Sequence, residues 1–216
     1  TDYCHPTDLV CSELDKTCKD DCSGNGDCVF VSVTTGDTLS SCAQSDTTCY
    51  AECQNCVSGY FGATCGLTQA NFDSNVALRE TLCKSIYDTV DIQDITEDVM
   101  KSRSTTLSGL LLDPTQLSTY SIANCTAALV RTVELAPEYA GLDTVSDLVA
   151  ETLSGVLGLS LNTELLANVS ETLKSLTSSV QDNLAVGEAR KAFNTENARI
   201  GAEVVDPNVL SGSSLW

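Results

Sequence analysis

Ten of the twelve cysteines in this 216-residue chain (Cys4, Cys11, Cys18, Cys22, Cys28, Cys42, Cys49, Cys53, Cys56 and Cys65) fall within the first 65 residues, and only Cys83 and Cys125 lie beyond. An even number of cysteines packed into a short, loop-rich stretch spells a disulfide framework built in an oxidising compartment. Zinc is the competing use of such residues, because "CKDDC" and "CQNC" have spacings that thiolate ligands can adopt. Ten clustered cysteines exceed one tetrahedral site, however, and His5 is the only histidine. A redox role for "CQNC" lacks the strand-helix-strand surroundings that such a centre needs. No metal and no cofactor are expected.

The spacing carries more. Three residues separate Cys18 from Cys22, five separate Cys22 from Cys28, and after a long gap two separate Cys53 from Cys56 and eight separate Cys56 from Cys65. Gly24 and Gly26 allow a tight turn within "CSGNGDC", with "NG" as the expected site of positive backbone angles, and Gly59 and Gly62 allow the closing "SGYFGATC" loop. "CVFVSVTTGDTLSSC" reads as a β-hairpin around a "TTGD" turn.

This pattern resembles the six-cysteine framework of epidermal growth factor-like (EGF-like) modules, which counts further against zinc. The resemblance implies pairing of Cys18 with Cys28, Cys22 with Cys53, and Cys56 with Cys65. The chain departs from the family in its long middle gap, which holds the additional Cys42 and Cys49, and in the two residues between Cys53 and Cys56. The simplest accommodation pairs Cys42 with Cys49 and Cys4 with Cys11. "ELDKTC" matches the calcium-binding subtype poorly, so no calcium is expected.

From about Leu67 apolar periodicity replaces cysteine as the organising signal. Leu78, Leu82, Ile86 and Val90 mark one face of a first helix. A second starts at "DITE", with Asp94 and Glu97 as a capping pair, runs through Ile95, Val99 and Leu107 to Leu111, and stops before Pro114. A third spans about Leu117 to Ala136, before Pro137. A fourth follows "GLD", with Val145, Leu148, Val149, Thr152 and Val156 on one face. In the fifth, from about Thr163, Leu166, Val169, Leu173, Leu176 and Val180 form a short heptad seam. Such a seam is better used inside an antiparallel bundle than between chains, because it is too short for a stable coiled coil. Cys83 and Cys125, the cysteines left over, are expected to staple the first helix to the third.

After Val186 the pattern turns to short strands separated by "NTEN", "DPN" and "SGSS". Two strands alone are marginal in water, so the chain is expected to end inside a β domain or to lend these strands to a neighbour. The fold class expected is therefore multi-domain. Residues 1–17 form a disulfide-closed segment, 18–66 a small disulfide-rich EGF-like β module, 67–186 an α-helical bundle, and 187–216 the start of a β region, incomplete or shared.

The chain has a formal net charge of −19, with only eleven lysines and arginines, which argues against nucleic acid as a partner. No run of about twenty apolar residues provides a membrane span. Phosphate-cradling and nucleophile-elbow patterns are absent. His5, beside Pro6, and the acidic pair Asp20 and Asp21 read as solvated surface groups. No catalytic residue is assigned, and the chain is not expected to be an enzyme. Asn124 in "NCT" and Asn168 in "NVS" are candidate N-glycosylation sites in a secreted chain.

The EGF-like "CSGNGDC" module, the "RETLC" helix, "TTLSGLLLDPTQLS" and "NARIGAEVVDPNVLSGSSL" together resemble large surface proteins of stramenopile algae and oomycetes, some of which build flagellar hairs called mastigonemes. The helical part also resembles the receptor-for-egg-jelly region of polycystin-like proteins. The resemblance implies an extracellular, secreted or cell-surface glycoprotein. Its expected role is a structural building block of a filament, partnered by copies of itself or by neighbouring modules of a longer chain. The alternative it leaves open is the ectodomain of an adhesion receptor or polycystin-like surface protein.

Overall fold

The computed structural model describes residues 3–4, 11–159, 161–195 and 197–205, with only the backbone described at 3–4 and 11–12. The chain divides into two compact units, residues 1–75 and 76–216. In the first, β1 (Tyr3–Cys4) pairs antiparallel with β2 (Cys11–Ser12). The central sheet has three antiparallel strands, β3 (Asp27–Ser32), β4 (Thr38–Leu39) and β5 (Cys49–Gln54), in the order β4-β3-β5. Valine and phenylalanine on β3 suit the pleated backbone of the β3–β4 hairpin, whose return strand is only two residues long. A small ladder of β6 (Tyr60–Phe61) and β7 (Leu67–Thr68) follows, and the Phe61 ring packs against Phe72 with centroids 5.1 Å apart.

Positive backbone angles do not fall where "NG" suggested. Asn25 has φ −120°, whereas Asp20, Asp21, Cys22 and Ser23 all adopt φ between 49° and 55°, leading into Gly24 at 68°. Left-handed backbone costs a non-glycine residue roughly 1–2 kcal/mol. The run lies in the loop closed by the Cys18–Cys28 bond, and Cys22 within it is bonded to Cys53. Gly26 serves a different need, close approach: a Cβ there would lie 2.5 Å from Cys65 Sγ.

Helix α1 (Gln69–Thr89) leads to α2 (Glu97–Leu111), α3 (Thr119–Leu135), the short α4 (Pro137–Ala140), α5 (Asp143–Leu157) and α6 (Thr163–Asn183). Pro114 opens a 3₁₀ turn after α2, and Pro137 ends α3 by starting α4. The α2 cap is Thr96, whose hydroxyl accepts from Val99 N–H, and not the expected Asp94. Ser118 caps α3 and Asn162 caps α6 by the same exchange with Ser121 and Leu165.

In this second unit α2 packs on α5 and α3, while α6 packs on α3 and α5. Leu107, Leu129, Val133, Val145, Val149, Leu153, Val169 and Leu176 form its fully buried centre. Leu173 flanks that centre, but Leu166 at the start of the seam is exposed. On α1 the expected stripe holds only in part: Leu78 and Leu82 are exposed, Ile86 packs against the core and Cys83 is fully buried, while the buried Val90 falls just past the helix end.

The terminal strands form an antiparallel hairpin, β8 (Lys191–Asn194) with β9 (Arg199–Ala202). The strand pattern alone left Phe193 and Ile200 without a surface, but the structure supplies one within the same unit. Phe193 and Ala202 are buried in the helical core and Ile200 packs against it. Lys191 Nζ donates to Asp143 Oδ1 at 2.7 Å and to Ser146 Oγ at 2.8 Å. At the other end of α5, Asn197 donates from its backbone to Ser154 Oγ and from Nδ2 to the Ser154 carbonyl. The "DPN" and "SGSS" turns lie outside the described residues.

Candidate functional site

Four disulfides knit residues 18 to 65: Cys18–Cys28, Cys22–Cys53, Cys42–Cys49 and Cys56–Cys65. Register explains the closeness of the first two, because Cys28 and Cys53 are direct cross-strand partners on β3 and β5. The Sγ atoms of Cys18, Cys22 and Cys53 consequently lie within 4.8 Å of one another. All three sulfurs are already bonded as disulfides, so they present no thiolates to a metal. Cys4 and Cys11 face each other in the β1–β2 register, but their side chains lie outside the described residues, as does His5.

The long middle gap is held by polar clamps as well as by its own disulfide. Lys16 Nζ donates to the carbonyls of Asp46 and Cys49, and Asp15 Oδ1 accepts from the Cys42 N–H at 2.9 Å. Glu13 Oε1 accepts from the Ser45 N–H at 2.8 Å, and bonding to Ser45 holds the Glu13 carboxyl below its ordinary range. Asp46 is lowered likewise, by hydrogen bonds from the Thr48 N–H and hydroxyl and by the charge of Lys16. Asp20 and Asp21 are exposed on the left-handed turn.

Cys83 on α1 and Cys125 on α3 are joined, with Cα atoms 4.7 Å apart. Of the two sequons, Asn168 stands exposed on α6. Asn124 is half-buried on α3, and its Nδ2 donates to the Tyr120 carbonyl. The Thr126 of that sequon is fully buried and its hydroxyl has no hydrogen-bond partner among the described residues.

One chemically distinctive side chain escaped the sequence reading. Arg103, 7% exposed, occupies the buried face of α2 between Met100 and Leu107. Its Nη1 donates to Thr132 Oγ1 at 3.0 Å and its Nη2 to Gln93 Oε1 at 3.1 Å, both neutral acceptors. Among the described residues no carboxylate forms an ion pair with it. Burial, which disfavours the charged form, pulls its pKa below the ordinary arginine value. Arg103 borders an open cavity of about 320 Å³ with Ile86, Asp98, Val99 and Thr106 among its walls. The available signal was an arginine spaced four residues from both Val99 and Leu107 on an otherwise apolar stripe.

Comparison with family models, with curated proteins and with solved structures returned no match to this chain.

Proposed function

We propose that this chain is a structural building block of an extracellular glycoprotein filament such as a flagellar hair. One observation carries the reading: the first unit is held by covalent cross-links in place of an apolar core. Among its described residues the buried apolar side chains are five cysteines and Val31. Such construction suits a small module that must keep its shape outside the cell, where disulfides persist and a core of that size is insufficient. The second unit has a real core and the Cys83–Cys125 bond, and among the described residues no helix is long and apolar enough to cross a membrane. The EGF-like and mastigoneme-type resemblance supplies the filament, and the two sequons supply sites for its glycans.

At a net charge of −19 like units repel one another, so assembly must rest on apolar packing, strand pairing or covalent continuity within a longer chain. Molar salt screens charge and leaves such contacts in place. Electron microscopy of native material in molar salt should therefore show persistent filaments. Particles that stay monomeric at every concentration would transfer the assignment to the adhesion-receptor or polycystin-like ectodomain.

A further inference from the structure

Arg103 is withdrawn from bulk solvent, its guanidinium lacks a carboxylate partner among the described residues, and the residue lines a cavity large enough for several non-hydrogen atoms. Thr132 and Gln93 each take one N–H of the five that a guanidinium carries. The hydroxyl of Thr132 passes its own proton to the Ala128 carbonyl at 2.7 Å, which fixes it as an acceptor toward Arg103. The guanidinium is thereby held in one orientation with donor capacity left over. An orienting pair of neutral acceptors and an unmatched positive charge together describe half of an ion pair.

The rest of the cavity narrows the missing half. Ile86 and Val99 offer apolar wall, and Thr106 offers a hydroxyl. Exposed Asp98 adds negative charge to the same cavity, and the chain as a whole stands at −19. A multiply charged oxyanion such as phosphate would be repelled by both and would gain nothing from the apolar wall. A monoanion with a short hydrocarbon stem gains from the wall and needs only the one cation. We infer that the cavity between α1 and α2 is a binding site for a carboxylate on a short apolar stem, clamped by Arg103. The same chemistry is offered by a small free acid and by a glutamate side chain of another chain. This inference is independent of the filament reading.

The probe is sodium butyrate, titrated into the intact, disulfide-bonded chain against sodium chloride at matched ionic strength, with thermal unfolding and the ¹⁵N shift of Arg103 Nε as readouts. Butyrate should raise the unfolding temperature saturably and move the Arg103 signal, with sulfate much weaker. R103Q should weaken binding at least about tenfold, the loss expected for a charge-assisted hydrogen bond. V99F, which keeps the arginine but fills the cavity, should weaken it too and guards against misfolding of R103Q. D98N should strengthen binding about threefold at low salt by removing a like charge. Sedimentation distinguishes the sources: wild-type association that butyrate disperses and R103Q lacks assigns the carboxylate to a second chain, and a butyrate-binding monomer assigns it to a free acid. A butyrate response that is non-saturating, equal to that of chloride and unchanged in R103Q would overturn the site and leave its cavity to water.

Discussion

At the scale of single residues, chemistry and conformation diverge in how far they can be read from a string of letters. The sequons at Asn124 and Asn168 are equal as motifs, yet the fold treats them unequally. Thr126 is fully buried and Cys125 is tied to Cys83, so a transferase can engage the first sequon only before the third helix folds and the bond closes. Asn168 is exposed on α6 and stays accessible longer. Site-resolved mass spectrometry of native chain should find higher glycan occupancy at Asn168 than at Asn124, and C125A should raise occupancy at Asn124. Equal occupancy in both chains would remove the argument. Arg103 illustrates the converse: its position on an apolar stripe was visible, but the absence of a counter-charge among the described residues depends on side chains from elsewhere in the chain. The left-handed run at Asp20–Ser23 was hidden because aspartate, cysteine and serine all favour ordinary backbone, so no local pattern announces it.

Elements whose limits are set by local chemistry were the more legible. Pro114 and Pro137 bounded α2 and α3 because a ring without an N–H interrupts a helix wherever it occurs. Hairpin docking was not legible, since the partners of Lys191 and Asn197 are at Asp143, Ser146 and Ser154, and no local pattern names them. Glu97 shows what such distant contacts do to stability. Its Oε1 accepts from Lys101 Nζ and from Thr144 Oγ1, each at 2.6 Å, joining the first turn of α2 to the start of α5. The Lys101 bond, then the Thr144 bond, lower the Glu97 pKa below its ordinary 4.5. A carboxyl whose folded pKa is depressed stabilises the fold fully above the unfolded value, and that contribution is lost as pH falls through the folded one. The unfolding temperature of the helical unit should thus decline below about pH 4.5, and E97Q should flatten part of the decline while lowering stability at pH 7. An unaltered pH slope in E97Q would show the pair to be without thermodynamic effect.

For the molecule as a whole, the two units rely on different sources of order, and the cysteine count of each half announced it. In the helical unit the Cys83–Cys125 bond spans 42 residues of sequence, for which the chain-entropy model gives about 4 kcal/mol. Against a typical domain stability of about 5–15 kcal/mol that is a large share. The C83A/C125A double variant should keep its helical circular dichroism in the cold and unfold at markedly lower temperature and denaturant concentration; unchanged midpoints would mean that the bundle core suffices alone. In the cross-linked unit the arrangement of bonds matters as much as their number. Between Cys18 and Cys65 a pull along the chain passes through Cys18 to Cys22, crosses to Cys53, continues to Cys56 and crosses again to Cys65. The β3–β4 hairpin and the whole clamped insert hang off that path and bear no tension. Stretched from its ends, this region would behave as a short, nearly inextensible link, surrendering almost no contour length even if every hydrogen bond in its sheet were broken.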